Sequence, residues 1–138
     1  MKHIIFALIV CLGLCTPASA TELQYYQDPI PYGNYVKDLD STLTKAVERN
    51  HWLYSKDEAG TRYADLDYKS YKISVQLVIK GESVALKLLD AQRPDCGKKR
   101  CQVDMDKVEG WIVKLRRNIA FDITKLVRDD AIRRSFTD

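Results

Sequence analysis

The chain has 138 residues, 22 Lys and Arg against 19 Asp and Glu, and a formal net charge of +3. That charge is too mild for nucleic-acid binding, which asks for a strongly basic domain with pI above about 9. The length suits one domain with a single core once any leader is set aside.

The start, Met1-Lys2-His3, is positive, and an apolar run follows from Ile4 to Leu14. Small residues close the segment at Ala18-Ser19-Ala20. This three-part pattern predicts a secretory signal peptide over residues 1–20, cleaved before Thr21. The run is too short for a membrane-spanning helix, which needs roughly 20 residues, so no transmembrane span is expected in the mature chain. The rival reading is a lipoprotein anchored through Cys15. A lipidated cysteine normally follows a small residue, whereas Cys15 follows Leu14, so ordinary cleavage is favoured. The expected location is the periplasm, with secretion or lipid anchoring as the alternatives.

Removing residues 1–20 takes away Lys2, Cys11 and Cys15 and leaves a mature charge of about +2. Cys96 and Cys101 remain, enclosing Gly97-Lys98-Lys99-Arg100. Two cysteines this close in an oxidising compartment predict a disulfide. Its stabilisation should lie at or below the ~3 kcal/mol of a 15-residue loop. Four intervening residues do not match the Cys-x-x-Cys spacing of redox pairs, and no histidine stands nearby to complete a zinc site.

Residues 21–35 are rich in tyrosine and proline and predict an extended arm, either packed on the domain or mobile. Val36, Leu39, Leu43, Ala46 and Val47 recur at helical spacing and predict a helix from Tyr35 to about Asn50, with Asn34 as cap. Asp38 and Asp40 then lie near its positive end.

Strands are predicted next. Trp52 to Lys56 reads as a short one, and Thr61 to Tyr68 and Tyr71 to Ile79 alternate. Lys80 to Ser83 reads as a hairpin turn before Val84, Leu86 and Leu88. A polar connection over residues 91–103 leads to a second helix capped by Asp104. Met105, Val108, Ile112, Leu115, Ile119, Ile123 and Leu126 step by three and four, which predicts a long amphipathic helix to Val127 or beyond. The tail, residues 128–138, keeps only Ile132 and Phe136 as apolar anchors and is expected to fray.

The expected fold is α+β: a two-layer sandwich ordered helix, three or four antiparallel strands, long helix, with one domain over residues 36–127. In this order the chain resembles a group of small bacterial exported proteins and lipoproteins of unknown function. The likeness rests on Asn50-His51-Trp52 at the first helix exit, Gly60 before an alternating strand, Tyr71-Lys72-Ile73-Ser74-Val75, and Trp111, Leu115 and Ile119 on the last helix. It implies a helix–strands–helix core and an envelope location, and no catalytic residue. The Cys96/Cys101 loop and the tyrosine-rich arm depart from the group's pattern.

Candidate chemistry is sparse. With His51 alone in the mature chain, neither a histidine triad nor a multi-histidine metal site can be assembled. His51 at a helix exit reads as a capping group. No phosphate loop or nucleophile elbow is present, and no catalytic residue, cofactor or metal is assigned. Asp65 and Asp67 share a strand face with carboxylates about 6–7 Å apart. That spacing suits a small carboxylate- or cation-dependent hydrolase, and a solvated strand face produces it equally. Lys98, Lys99 and Arg100 form a basic run inside the loop. Lys107, Lys114, Arg117, Lys125 and Arg128 share one sector of the last helix, opposite its apolar stripe. Together they favour a non-catalytic envelope protein that binds a protein partner or an anionic surface, with Lys98, Lys99, Arg100, Lys114 and Arg117 as contact residues. A secreted inhibitor or interaction factor would carry the same features. All eight tyrosines lie between Tyr25 and Tyr71, where they serve recognition or packing.

Overall fold

The structure, a computed structural model, describes residues 25–97 and 101–137. The expected signal peptide and Cys15 lie outside the described residues. So do the basic loop residues Lys98, Lys99 and Arg100.

Antiparallel alternation governs the centre of the chain. Strands β2 (Trp52–Lys56), β3 (Arg62–Tyr68), β4 (Tyr71–Lys80) and β5 (Ser83–Gln92) form a meander, and a two-residue strand β1 (Ile30–Pro31) joins the far edge in the order β1-β5-β4-β3-β2. Register places Leu66 opposite Ile73 and Ala64 opposite Val75, so the buried residues share one face. The β3–β4 turn is tight, with Lys69 and Ser70 both at positive φ as a two-residue hairpin turn requires. The expected Lys80–Ser83 turn is present, with Gly81 at φ +56.

Strand β5 runs further than its alternation indicates. Between Ser74 and Val75 the β4–β5 register shifts: Val75 pairs with Leu88, and Ser74 with Asp90. Leu89 is the extra residue of this bulge, and 46% of it is exposed. The bulge moves Asp90 and Gln92 onto the outward face.

Helix α1 spans Leu39–Glu48, starting four residues later than the sequence predicts. Asn34 is not the cap. It sits in a 3-10 turn, Gly33–Tyr35, that opens on left-handed Gly33, and Val36 is extended. Asp38 caps instead, its carboxylate accepting the Ser41 N–H at 2.9 Å. Helix α2 spans Met105–Ser135, with Asp104 accepting the Lys107 N–H at 3.3 Å. The tail expected to fray is therefore helical almost to its end. Asp130 pairs with Arg133 at 3.7 Å and Arg134 at 2.9 Å, and the Arg134 guanidinium lies 5.6 Å from the Tyr35 ring centre. These contacts hold the last turns where apolar burial has ended.

Both helices pack on the same sheet face. One continuous core joins Leu43 and Val47 of α1, the inward residues of β2 to β5, and Val108 through Ile123 of α2. The described part of the arm, residues 25–35, is packed on the domain. Tyr26 and Ile30 are buried, Tyr32 donates its hydroxyl to the Gly81 carbonyl at 3.0 Å, and Arg116 donates to the Asp28 carbonyl at 3.2 Å. Pro31 lies on an edge strand, where its missing N–H costs no sheet pairing. The fold is thus α+β in two layers, with a fifth strand supplied by the arm.

Candidate partner-binding surface

Helix α2 carries two stripes. The inner one packs on the sheet, and Val108, Ile112, Leu115 and Ile119 are fully buried. The outer one runs Lys107, Lys114, Arg117, Phe121, Lys125, Arg128, Ile132, Phe136. Its steps of seven, three or four keep it in one sector of a helix with 3.6 residues per turn. At 1.5 Å per residue it is about 44 Å long. Phe121 is 61% exposed, Ile132 48% and Phe136 84%. Lys114, Arg117 and Lys125 are exposed as well, and among the described residues no carboxylate lies within ion-pair distance of them.

Several carboxylates on or beside α2 are paired, while Asp106 in its first turn is exposed and forms no ion pair among the described residues. Asp122 is buried, and Arg49, at the C-cap of α1, donates to both its oxygens at 2.7 and 2.8 Å. The same guanidinium lies 5.8 Å from the Phe121 ring centre. Asp129 pairs with Arg128 at 3.1 Å, and Asp104 with Lys107 at 3.2 Å. A small cleft of about 190 Å³ opens beside Phe121, Thr124, Lys125 and Arg128.

Lys114 and Arg117 therefore stand where their spacing placed them, joined by three large apolar groups the sequence reading did not assign to that face. The signal was available, because the step of three and four continues from Arg117 through Phe121 to Phe136. The disulfide Cys96–Cys101 is formed, with its α-carbons 5.6 Å apart. The connection it sits in is anchored at both ends: Arg93 lies 4.9 Å from the Tyr71 ring centre, and the Asp104 N–H donates to the Tyr71 hydroxyl at 3.3 Å.

The outward sheet face carries an open basin of about 460 Å³ lined by His51, Leu53, Asp65, Asp67, Lys72 and Ser74, with Asp90 and Gln92 beyond the bulge. Asp67 accepts from Lys72 at 2.7 Å, with both side chains more than half exposed. That hydrogen bond raises the lysine's pKa. Asp90 accepts from Gln92 at 2.6 Å. Among the described residues, no group of three or more His, Cys, Asp and Glu is placed to hold a metal ion. His51, at φ +65, stacks on Tyr68 with ring centres 5.7 Å apart. The tyrosines mostly pack or brace: Tyr26 and Tyr71 are buried, and Tyr63 donates to Asp57 at 3.0 Å.

Asp40 is the most connected carboxylate described. It accepts from Tyr54 at 2.8 Å, Lys56 at 2.8 Å and Arg62 at 2.6 Å, tying the first turn of α1 to β2 and β3. The hydrogen bonds from Arg62 and Lys56 hold its carboxyl well below the usual range. Burial and the bond to Asp40 push the Tyr54 hydroxyl up to about 12. This cluster is fully committed to holding α1 against the sheet.

Comparison of the chain with family models, curated proteins and solved structures finds no match. Among the described residues, no helix is long and apolar enough to cross a membrane.

Proposed function

We propose that the protein is a non-catalytic, exported envelope protein that binds an anionic partner through the outer face of α2. The observation that carries this reading is the Lys107-to-Phe136 stripe, in which Lys114, Arg117 and Lys125 are exposed and form no ion pair among the described residues, although Asp122 and Asp129 line a cleft with Lys125. Clustered cations outside ion pairs raise the local concentration of anionic partners and speed their encounter. The disulfide is compatible with an oxidising compartment such as the periplasm, where the leader would send the chain. The basic run Lys98 to Arg100 precedes α2 by a few residues in sequence and lies outside the described residues. The likeness to small bacterial exported proteins agrees with this location.

A second reading, a carboxylate-dependent hydrolase, is favoured by the basin beside Asp65 and Asp67. The Asp67–Lys72 pair and the openness of the face weigh against it.

The test compares two charge reversals of equal size. Lys114→Glu/Arg117→Glu should lower the salt concentration that elutes the protein from an immobilised polyanion well below that of Lys80→Glu/Lys87→Glu. Equal shifts would mean that only net charge matters, and the surface would lose its claim.

A further inference from the structure

We infer that the anionic partner is a lipid bilayer surface, on which α2 lies flat with Phe121, Ile132 and Phe136 entering the headgroup boundary. This rests on the reading of the outer α2 face as the binding surface and names its ligand. A helix face meant only for water or for a soluble polyanion has no use for three large apolar side chains. Here they share one sector with Lys114, Arg117, Lys125 and Arg128, and they are 48–84% exposed. Apolar groups and cations interleaved on one face, with no helix able to span among the described residues, are the marks of a helix that binds in the interfacial plane.

The two ends of the stripe divide the work. From Lys107, which is paired with Asp104, to Arg117 the stripe carries no apolar group, and Lys114 and Arg117 serve attraction to anionic headgroups, which acts over about a Debye length. From Phe121 to Phe136 it combines two rings and one branched chain with the cations Lys125 and Arg128, which suits shallow insertion. The cleft beside Phe121, Thr124, Lys125 and Arg128 offers the Thr124 hydroxyl and the Lys125 ammonium to a phosphate at that junction, with Arg128 beside them paired to Asp129. The opposite stripe is held in the core, so insertion requires no unfolding: the binding groups already face outward. Arg49, fixed on Asp122 and close to the Phe121 ring, limits the swing of that side chain before any membrane is met.

An acidic protein face would use the same cations but would not need the exposed rings at 121 and 136, and this difference makes the two partners separable. The protein recovered after export is sedimented with phosphatidylcholine vesicles containing or lacking phosphatidylglycerol, and in parallel is passed over immobilised polyglutamate. Binding should require phosphatidylglycerol. Lys114→Glu/Arg117→Glu/Lys125→Glu/Arg128→Glu should lose about 100-fold or more, at several-fold per charge. Phe121→Ser/Ile132→Ser/Phe136→Ser should lose about 10-fold or more on vesicles while keeping its retention on polyglutamate. Phe121→Leu/Phe136→Leu should keep vesicle binding, which separates apolar insertion from a packing defect. Vesicle binding unchanged in the triple serine variant overturns the inference, as does equal binding to vesicles lacking phosphatidylglycerol. Retention on polyglutamate without vesicle binding overturns the lipid assignment and leaves the anionic-partner reading standing. Failure to bind either sinks both.

Discussion

Arg49, at the C-cap of α1, grips both carboxylate oxygens of Asp122 on α2, at 2.7 and 2.8 Å, and its guanidinium lies 5.8 Å from the ring centre of Phe121. One residue thus satisfies a buried charge and braces the first exposed ring of the outer stripe. The Asp122 side chain is only 10% exposed while Arg49 is 39% exposed, so the ion pair sits at the margin of the core rather than inside it. A carboxylate so placed is tolerated because it is paired with two charge-assisted bonds.

Removing Arg49 should therefore cost more than an ordinary surface ion pair. Arg49→Met is expected to destabilise by about 2 kcal/mol, since it strands a nearly buried carboxylate. Adding Asp122→Leu should recover part of that loss. Urea unfolding of the two single variants and the double variant gives the coupling directly; strict additivity would show that the two residues act independently.

The two stripes of α2 should behave in opposite ways. Ile119 is fully buried, and Ile119→Ala is expected to cost about 2–5 kcal/mol through lost burial and a cavity. Phe121→Ala, at 61% exposure, should cost less than about 1 kcal/mol, most of it the contact with Arg49. Thermal and urea unfolding should rank the pair this way, while vesicle binding should suffer in the Phe121 variant.

Asp40 predicts acid sensitivity. Its folded pKa is depressed by Arg62 and Lys56, so the unfolded state takes up the proton first. Its contribution is complete above the ordinary carboxylate pKa of about 4 and is lost as pH falls below that. Asp40→Asn should cost about 1–2 kcal/mol at neutral pH, kept low because the carboxylate is 39% exposed. Its stability should also fall less steeply below pH 4 than that of the parent.

Tyr54 gives the mirror case at high pH. Its folded pKa is raised to about 12, so its contribution is complete below about pH 10 and is lost as pH rises towards 12. Tyr54→Phe should show a flatter stability profile over that alkaline window, measured by urea midpoints. An identical slope in parent and variant would assign the loss to other groups.

The disulfide closes a loop so short that its loss should be modest. Cys96→Ser/Cys101→Ser is expected to keep the fold and lose about 2 kcal/mol, the value for a loop of about five residues. Collapse of the fold on reduction would show that the connection between β5 and α2 depends on the bond.

Much of this architecture was legible because burial repeats with a fixed period. The inner stripe of α2 steps by three and four, and β4 alternates without a break, so both could be read from residue types alone. Features set by distant partners were not legible. Asp38 displaces Asn34 as cap because the chain turns through left-handed Gly33 first. The end of α2 is held by Asp130, Arg133, Arg134 and Tyr35 rather than by apolar burial, so the fading stripe looked like fraying. The bulge at Leu89 breaks the alternation that reveals strands, and β1 is too short to show one. On the outer face, the cations at 114 and 117 were found by spacing. Ile132 and Phe136 were read as loose anchors of a tail because the helix beneath them was not expected to continue. The Asp40 cluster gathers partners 14 to 22 residues away, which only the α1–β2–β3 packing brings together.

The most direct test is to map where a bilayer touches the molecule. Amide signals of the isotope-labelled protein would be followed as it meets phosphatidylglycerol-containing nanodiscs doped with a gadolinium lipid. The strongest relaxation is expected at Phe121, Lys125, Arg128, Ile132 and Phe136, with Lys114 and Arg117 next and the outward sheet residues Leu53, Ser74 and Leu89 spared. Strongest relaxation at those sheet residues, or none anywhere along α2, would contradict bilayer binding through that helix.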